Sequence, residues 1–486
     1  MKIVMASAEA VPFVKVGGLA DVVGSLLKHL ALYDNDVLLI LPYYNEIKYS
    51  DFSVDEVTET DGLFVKMGNE EISFTLCKLA DTENTSSSVC FIDCPRWFSR
   101  DGIYSHPNNV PFEDEGEIWM FFQLAVIRAV EALNIYPDVI HVHDFHTALI
   151  PALIRTNYRM SPHFSYAKCV LTLHNLLFQG VYDSSVLFKG GISENAFFAL
   201  SPFEFYGKTN FIKTGMEFSD VINTVSPRYA KELLEYPEHS YGLYDVLQAV
   251  SYKFRGILNG ADYSYWNPET DKLIYKNYTR DTLEIKTFNQ MELLKRIGME
   301  KDEKTLICGM VARMTEQKGF RLLLDCWEEL KQRNVKFILL ANGDRDLQNN
   351  WQELAKKDFH ILYLNTAFNE ELAHKILAGV DLFLMPSTFE PCGLSQIYAL
   401  KYGTPPLAHR TGGLADTIID SSGLQTGFLF ESYNCRSFLR TLDRAYSLFL
   451  QKDEWTEIQK NGMNMDFSWE KAARNYLNMY QSLMRF

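Results

Sequence analysis

The run KIVMAS at residues 2–7, followed by KVGGLADVVGSLLKHL at residues 15–30, is the stretch from which the fold can be predicted. The first run is short and apolar, which predicts a buried strand, and the second continues from a glycine pair into a helix. Glycines let a backbone approach a ligand, and the free N–H groups at a helix start favour an anion. Lys15 adds a positive charge beside Gly17 and Gly18. The alternative for this loop is a tight turn with a solvated lysine.

The same strand-and-helix alternation continues along the chain. The runs DVLLILPYY, VIHVHD, KCVLTLHN and VINTVS, and later TLICGMVAR, KFILLANGD, HILYL, LFLMPS and PPLAHR, read as strands that are apolar on both faces. Repeated β–α–β units predict an α/β fold of two Rossmann-like, doubly wound domains that face a deep cleft. A turn-rich break after residue 253 separates an N-terminal domain, 1–253, from a C-terminal domain, 254–462. The last segment, 463–486, is an amphipathic helix that we expect to return to the N-terminal domain.

Composition limits the classes of function. The 486-residue chain has 47% hydrophobic residues, which is ordinary for a globular protein, and a net charge of -15. That charge argues against a nucleic-acid or anionic-membrane partner, since both require a basic face. The eight cysteines are scattered without a CxxC pair, which is typical of reduced core thiols. With no long apolar segment at the N-terminus, we expect a cytoplasmic protein.

Two further loops follow strands of the C-terminal half. In VARMTEQKGF, Arg313 and Lys318 can converge on a diphosphate, the guanidinium as a planar fork and the ammonium as a point charge. In STFEPCGLSQ, Glu390 can bind sugar hydroxyls, and backbone amides at a helix start can hold phosphate; these amides belong to Cys392, Gly393, Leu394 and Ser395. The alternatives are solvated surface charges for the first loop and a helix N-cap for Glu390.

Histidine-rich strand ends raise the question of a metal. In HVHDFH, His141 and His143 alternate on a strand and so share a face, and two further possible ligands, Asp144 and His146, lie close by. The polar end of a strand at a cleft explains this set without an ion, and we favour that reading. The Asp344–Asp346 triplet is interpreted as a helix cap. His174 and Asn175 stand at another strand end.

These motifs together resemble the bacterial glycogen synthase and plant starch synthase family. The matching blocks include KVGGLADVVGSL, HVHDFHTAL, LTLHNLLFQG, INTVSPRYA, GILNGADYSYWNPETD, ARMTEQKGF and STFEPCGLSQIYALKYGTPPLAHRTGGLADTI, in the family order. With FSWEKAARNYLNMY as the closing helix, the resemblance covers nearly the whole chain. It implies a two-domain glycosyltransferase of the type-B fold that retains anomeric configuration. It also implies that neither a metal nor another cofactor is required.

The resemblance further implies the substrates and the site. Glucose would pass from ADP-glucose to the non-reducing 4-hydroxyl of an α-1,4-glucan, with Arg313 and Lys318 on the departing diphosphate. Glu390 and the Cys392-to-Ser395 amides would contact the donor sugar and phosphate, and Lys15, Gly17 and Gly18 would contact the distal phosphate and sugar. Asp144, His174 and Asn175 would lie on the sugar and acceptor side. Tyr104 would lie near the donor glucose. A backbone carbonyl of the loop at His174 would steady the cationic sugar.

Departures from the family pattern leave alternatives open. Phe368 stands where a tyrosine usually stacks on adenine, Val16 replaces a threonine, and Ala408–His409 replaces valine and arginine. Tyr398 stands where distant relatives carry a second glutamate. These changes keep open a related transferase that uses UDP-glucose or another acceptor. An alternative of a different class is a non-catalytic two-domain sugar-binding protein, which would not need the Arg313 and Lys318 pair.

Overall fold

The computed structural model describes residues 1–60, 62–80, 87–106, 110–367 and 369–484. The strands in this part of the chain are β1 (Lys2–Ala6), β2 (Asp36–Pro42), β3 (Val54–Glu56), β4 (Phe64–Met67), β5 (Glu70–Ser73), β6 (Thr75–Leu79), β7 (Ser87–Asp93), β8 (Val139–His143), β9 (Lys168–Leu173), β10 (Val181–Tyr182), β11 (Thr209–Asn210), β12 (Val221–Thr224), β13 (Phe254–Gly256), β14 (Leu306–Met314), β15 (Val335–Gly343), β16 (Leu362–Asn365), β17 (Leu382–Met385), β18 (Pro406–His409) and β19 (Phe428–Phe430).

The α-helices are α1 (Gly18–Ala31), α2 (Asn45–Lys48), α3 (Pro95–Phe98), α4 (Glu115–Ala132), α5 (Ile150–Arg155), α6 (Ser185–Lys189), α7 (Phe211–Phe218), α8 (Pro227–Glu235), α9 (Tyr244–Ala249), α10 (Lys286–Ile297), α11 (Phe320–Asp325), α12 (Trp327–Leu330), α13 (Arg345–Lys357), α14 (Glu370–Gly379), α15 (Ser395–Lys401), α16 (Gly412–Thr417), α17 (Cys435–Phe449), α18 (Lys452–Met463) and α19 (Trp469–Leu483). Short 3₁₀ helices lie at Thr58–Thr60, Pro162–Phe164, Glu194–Ala196, Pro237–His239, Ser251–Lys253, Arg280–Ile285 and Glu316–Lys318. Every run predicted as a strand forms one.

The chain folds as two compact units. The first comprises Met1–Val225, Ala230–Ile257 and Trp469–Phe486, and the second Ser226–Tyr229 and Leu258–Ser468. The last helix, α19, belongs to the first unit, where the Tyr476 hydroxyl accepts a hydrogen bond from Asn223 Nδ2 at 3.1 Å. The division of labour between an acceptor domain and a donor domain stays a prediction.

The main sheet of each unit is built on parallel strands. Over the described residues, the first unit has the strand order β13-β12-β9-β8-β1-β2-β7-β6-β3, with antiparallel pairing only where β6 joins β7 and β3. The second has the order β16-β15-β14-β17-β18-β19, all parallel. Both are doubly wound, so the predicted α/β class of two Rossmann-like domains is confirmed.

Local sequence explains why these elements form. In β14, Leu306, Cys308 and Met310 pack into one core layer and Ile307 into the layer on the other face, as a buried parallel strand requires. Helix α13 begins at Asp344, whose carboxylate accepts hydrogen bonds from the Asp346 and Leu347 amides at 3.0 and 2.9 Å. The interpretation of the Asp344–Asp346 triplet as a cap is therefore confirmed.

The prediction that all eight thiols are reduced is wrong for one pair. Cys326 and Cys435, 109 residues apart, form a disulfide that ties the junction of α11 and α12 to the start of α17. The spacing of the cysteines in the sequence does not indicate this pair, because the two helices become neighbours only in the folded unit. The other cysteines are free and buried: Cys77, Cys90, Cys94, Cys169, Cys308 and Cys392.

Candidate functional site

The strand order of the second unit places its candidate site between β14 and β17. The chain leaves β14 toward β15 on one side and returns to β17 on the other, so the loops after these two strands diverge and leave a crevice. Arg313 is the second-last residue of β14 rather than part of the loop, Lys318 follows that strand, and Glu390 follows β17. A cavity of about 180 Å³ lies here, lined by Met310, Val311, Ala312, Arg313, Lys318, Leu384, Met385, Ser387 and Ser395. The structure therefore brings the two predicted cations to one cavity.

Lys318 and Glu390 form an ion pair beside this cavity. Lys318 Nζ lies 2.6 Å from Glu390 Oε2, and Ser387 Oγ donates to the same oxygen at 3.1 Å. The Glu390 side chain is buried while that of Lys318 is partly exposed. Helix α15 begins after Leu394 without any side-chain cap, so the alternative reading of Glu390 as an N-cap is wrong. The carboxylate is instead held by a lysine that can also reach a ligand.

The pentapeptide GGLAD occurs at residues 17–21 and again at 412–416, and this second GGLAD fixes the loop that carries Glu390. The Gly413 amide donates to the Glu390 carbonyl at 3.1 Å. A Cβ at Gly412, whose φ is +43°, would lie 2.0 Å from that carbonyl oxygen, and a Cβ at Gly413 would lie 2.2 Å from the Cys392 oxygen. Only glycine permits this approach. His409 Nδ1 lies 3.1 Å from the Ser387 carbonyl oxygen, so this departure from the family pattern still supports the same loop.

The turn at Cys392–Ser395 is shaped from within. Gln396 Nε2 donates to the carbonyls of Cys392 at 3.0 Å and Gly393 at 2.9 Å. Gly393 has a φ of +72°, which a residue with a side chain adopts only with strain. The carbonyls thus point toward Gln396, and Leu394 and Ser395 open α15, with Ser395 at the cavity. Phe368, assigned to adenine stacking, lies outside the described residues.

In the first unit the corresponding crevice lies between β1 and β8. The chain runs from β1 to β2 on one side and later returns to β8 on the other. The loop after β1 carries Glu9, Lys15 and Gly17, and the loop after β8 carries Asp144 and His146. The strand order therefore brings two of the predicted motifs to one edge of this sheet.

Glu9 holds the glycine-rich loop. Its Oε2 accepts hydrogen bonds from the Val16 and Gly17 amides, the latter at 3.0 Å, and its Oε1 accepts one from the Tyr104 hydroxyl at 3.0 Å. Burial raises the pKa of Glu9, although the two amide bonds oppose that shift. Two amides of the predicted anion-binding loop are thus already bonded to a carboxyl group of the chain itself.

Lys15 and Gly18 face outward from this arrangement. Lys15 Nζ pairs with Asp21 at 2.8 Å, and its side chain is 55% exposed. A Cβ added at Gly18 would meet no heavy atom within 4 Å. Internal packing in the described residues therefore does not require glycine at position 18, which leaves room for a ligand beside Lys15.

Asp144 is a buried carboxyl group with a constrained backbone. Its φ is +54°, and its Oδ1 accepts a hydrogen bond from the His174 amide at 2.7 Å. Burial raises the pKa of Asp144 to about 7; the His174 amide opposes the shift, and the nearby Glu9 carboxylate adds to it. The Asn175 amide also bonds to Asp144, so the carboxyl group joins the loop after β8 to the His174–Asn175 loop after β9 and brings three of the predicted residues together.

Two of the three histidines of the HVHDFH motif bond to protein groups, whereas neither ring nitrogen of the buried His146 has a hydrogen-bond partner among the described residues. His141 Nδ1 lies 2.7 Å from the Tyr480 hydroxyl, its Nε2 lies 2.7 Å from Thr172 Oγ1, and His143 Nδ1 lies 3.0 Å from His174 Nε2. Burial lowers the pKa values of His141 and His174 to about 3, so these rings are neutral. Within the described ranges no group of three or more His, Cys, Asp or Glu is arranged to hold a metal ion.

Sequence reasoning missed Glu9, Ser387 and Gln396. Ser387 and Gln396 are the first and last residues of the STFEPCGLSQ motif and Glu9 precedes the glycine-rich loop, and each of the three bonds to backbone or to a side chain of the site. The one available sign was a carboxylate in an otherwise apolar run, AEAVPFV, directly after the first strand. Such a residue requires a partner when buried.

Two protein families match this chain, one over most of each unit. The family described as "Starch synthase catalytic domain" matches residues 2–249, and "Glycosyl transferases group 1" matches residues 294–461. A glycogen synthase of Thermotoga maritima is 38% identical over 496 aligned residues, covering 100% of this chain and 99% of the relative.

Solved structures show the same fold. The catalytic domain of starch synthase IV from Arabidopsis thaliana, bound to ADP and acarbose, superimposes with a TM-score of 0.89 at 28% identity, covering 100% of this chain and 99% of the other. Sucrose-phosphate synthase from Thermosynechococcus elongatus gives a TM-score of 0.58 at 16% identity over 100% and 99% of the two chains, a likeness of fold alone. None of the helices in the described residues is both long and apolar enough to cross a membrane.

Proposed function

Because the chain belongs to the glycogen and starch synthase family, we propose that it transfers glucose from ADP-glucose to the non-reducing 4-hydroxyl of an α-1,4-glucan. The observation that carries this proposal is the cavity between β14 and β17, where Arg313 and Lys318 meet. A neutral sugar needs no such pair of cations, whereas a nucleoside diphosphate does. That contrast favours a transferase over a non-catalytic sugar-binding protein.

Charge development explains what these residues do in the reaction. As the glycosidic bond breaks, the diphosphate gains negative charge and the sugar gains oxocarbenium character. Arg313 and Lys318 stabilise the departing diphosphate as fixed cations. Lys318 also pairs with Glu390 at 2.6 Å, so donor binding places one ammonium between a carboxylate and a phosphate. Glu390, held by Ser387 and by the glycines of the second GGLAD, then accepts hydrogen bonds from the donor glucose.

The first unit supplies the sugar and acceptor side in this proposal. The amide of His174 is fixed by Asp144, which sets the direction of the loop that carries Asn175. We assign the His174 backbone carbonyl to the cationic sugar, and Asp144 and Asn175 to sugar hydroxyls. Lys15 and the open position at Gly18 approach the distal phosphate, and Tyr104, bonded to Glu9, borders the donor glucose.

The finer features of the reaction are part of the same proposal. Transfer occurs with retention, by attack of the acceptor on the face that the diphosphate leaves, and proceeds without a metal because Arg313 and Lys318 supply the positive charge. UDP-glucose remains the alternative donor, since Phe368 replaces the usual tyrosine at the predicted base-stacking position. The acidic chain works in the cytoplasm on an uncharged polymer and not on nucleic acid.

A donor comparison tests this function. Purified protein is incubated with glycogen and ADP-, UDP- or GDP-glucose, each with and without EDTA, and glucose incorporation is measured. We expect ADP-glucose to give the highest kcat/KM and EDTA to leave it unchanged. A higher kcat/KM with UDP-glucose would shift the assignment to the alternative donor, and no incorporation from any donor would remove the assignment.

A further inference from the structure

An exposed apolar surface lies on the first unit next to the His174–Asn175 loop. We define it by five side chains: Leu177, Phe178, Phe198, Leu200 and Tyr206. All five are exposed, Leu200 by 92% and Tyr206 by 83%. Exposed apolar groups gathered on neighbouring loops mark binding surfaces more often than isolated ones do.

Two of these side chains are presented by a strained backbone. Outside aspartate, asparagine and glycine, positive φ values in the described part of the chain occur at Leu200 (+66°), Tyr206 (+49°) and Tyr241 (+48°). Bulky residues rarely adopt this conformation, and it persists only where surrounding contacts impose it. The backbone is thus held in an unfavourable conformation where Leu200 and Tyr206 point into solvent.

Hydrogen bonds of Lys213, a buried residue of α7, and of the Glu204 carboxylate hold this backbone in place. Lys213 Nζ donates to the carbonyls of Ser201 and Glu204, the latter at 2.7 Å. The Glu204 carboxylate accepts hydrogen bonds from the Leu200 amide at 3.1 Å and the Gly207 amide at 2.7 Å. The segment from Leu200 to Gly207 is therefore a built platform rather than a loose loop.

The same helix start joins this platform to the Asn175 loop. Asn210, the N-cap of α7, donates to Gln179 Oε1 at 2.6 Å, and Gln179 Nε2 donates to the Tyr241 carbonyl at 3.2 Å. The Phe178 amide in turn donates to the Asn175 carbonyl at 3.2 Å. The start of α7 therefore links the segment that carries Leu177 and Phe178 to the platform, and the same segment begins at the loop assigned to the acceptor.

We propose that this surface binds the α-1,4-glucan chain behind its reacting end. The inference rests on the proposed function, because a polymer acceptor extends beyond the residue that reacts and crosses the protein next to the acceptor loop. The five side chains are uncharged, and aromatic rings and leucines suit the C–H faces of glucose rings. The Glu204 carboxylate, which accepts hydrogen bonds from the Gly207 and Leu200 amides that lower its pKa, adds negative charge at this segment and so favours a neutral ligand over an anionic one.

The test uses substitutions that the strained backbone tolerates. Asparagine adopts positive φ readily, so Leu200→Asn together with Tyr206→Asn removes the apolar groups without adding strain. Tyr49→Asn is the matched control, since Tyr49 is 84% exposed on the same unit but lies outside this surface. Glycogen affinity is measured by gel retardation, ADP affinity by calorimetry, and association state by sedimentation.

We expect the double variant to raise the Kd for glycogen about 10-fold, with Tyr49→Asn unchanged and ADP affinity intact. Wild-type glycogen affinity in the double variant would overturn the inference. A wild-type oligomer that the variant dissociates would make the surface an interface between copies instead. If the wild type incorporates no glucose while the variant still loses glycogen binding, the proposed function fails and the glucan surface stands.

Discussion

Replacing Lys318 by alanine separates its two roles, because the ammonium both pairs with Glu390 and faces the cavity. Removing one partner of a fully buried ion pair costs about 3–5 kcal/mol. The Lys318 side chain is 24% exposed, so water partly replaces it, and we expect a loss of about 1–3 kcal/mol in the free energy of unfolding. For a unit of this size that corresponds to a drop in Tm of roughly 2–12 °C.

The same substitution has a larger effect on kcat than on the free energy of unfolding. If Lys318 stabilises the departing diphosphate, its removal lowers kcat by about 100- to 1,000-fold. Lys356→Ala is the matched control, since Lys356 forms an exposed pair with Glu353 and its loss changes Tm little. The double variant Lys318→Ala/Glu390→Gln removes the unpaired buried charge and regains Tm, but not kcat. Recovery of kcat in that double variant would refute a direct role of Lys318 at the diphosphate.

Three further predictions follow from other contacts. Because burial raises the pKa of Asp144 to about 7, the folded chain keeps a proton that the unfolded chain releases near pH 4. Asp144 by itself therefore lowers the unfolding free energy by about 3 kcal/mol from pH 4 to 7, against the opposite contribution of the buried histidines. In denaturant titrations the wild type loses this amount relative to Asp144→Asn over that range; an equal pH dependence of the two proteins contradicts the shift. Cys326→Ser costs about 2–4 kcal/mol, and dithiothreitol lowers the Tm of the wild type but not of the variant. Glu9→Gln weakens the bonds from Val16 and Gly17 by about 1–2 kcal/mol, which faster hydrogen exchange of those amides reveals and unaltered exchange excludes.

Local hydrophobic patterns in the sequence predict most of the secondary structure of the fold. The strands β1, β8, β14 and β17 are apolar runs bounded by glycine-rich or polar loops, and such runs form buried parallel strands whatever their partners. The position of a site at a strand end also follows from the sequence. The sequence does not predict the strand order, which decides where two strand ends form a crevice, because that order depends on which strands become neighbours.

Side-chain partners over long separations could not be predicted. Tyr480 and His141 are 339 residues apart, and Cys326 and Cys435 are 109 apart. No local pattern encodes such contacts, since they arise only when whole elements pack. Glu9 shows the same limit at short range. Its carboxylate reaches the Gly17 amide only because the intervening loop folds back, and the residues between Glu9 and Gly17 do not predict that turn.

The central claim is best tested by where the transferred glucose ends. Glycogen is extended with labelled ADP-glucose, and the product is digested with β-amylase, which removes maltose from α-1,4-linked non-reducing ends. The proposed function predicts incorporation of the label and its release as maltose. Label that stays in the polymer after digestion, or no incorporation at all, would contradict transfer to the non-reducing 4-hydroxyl with retention.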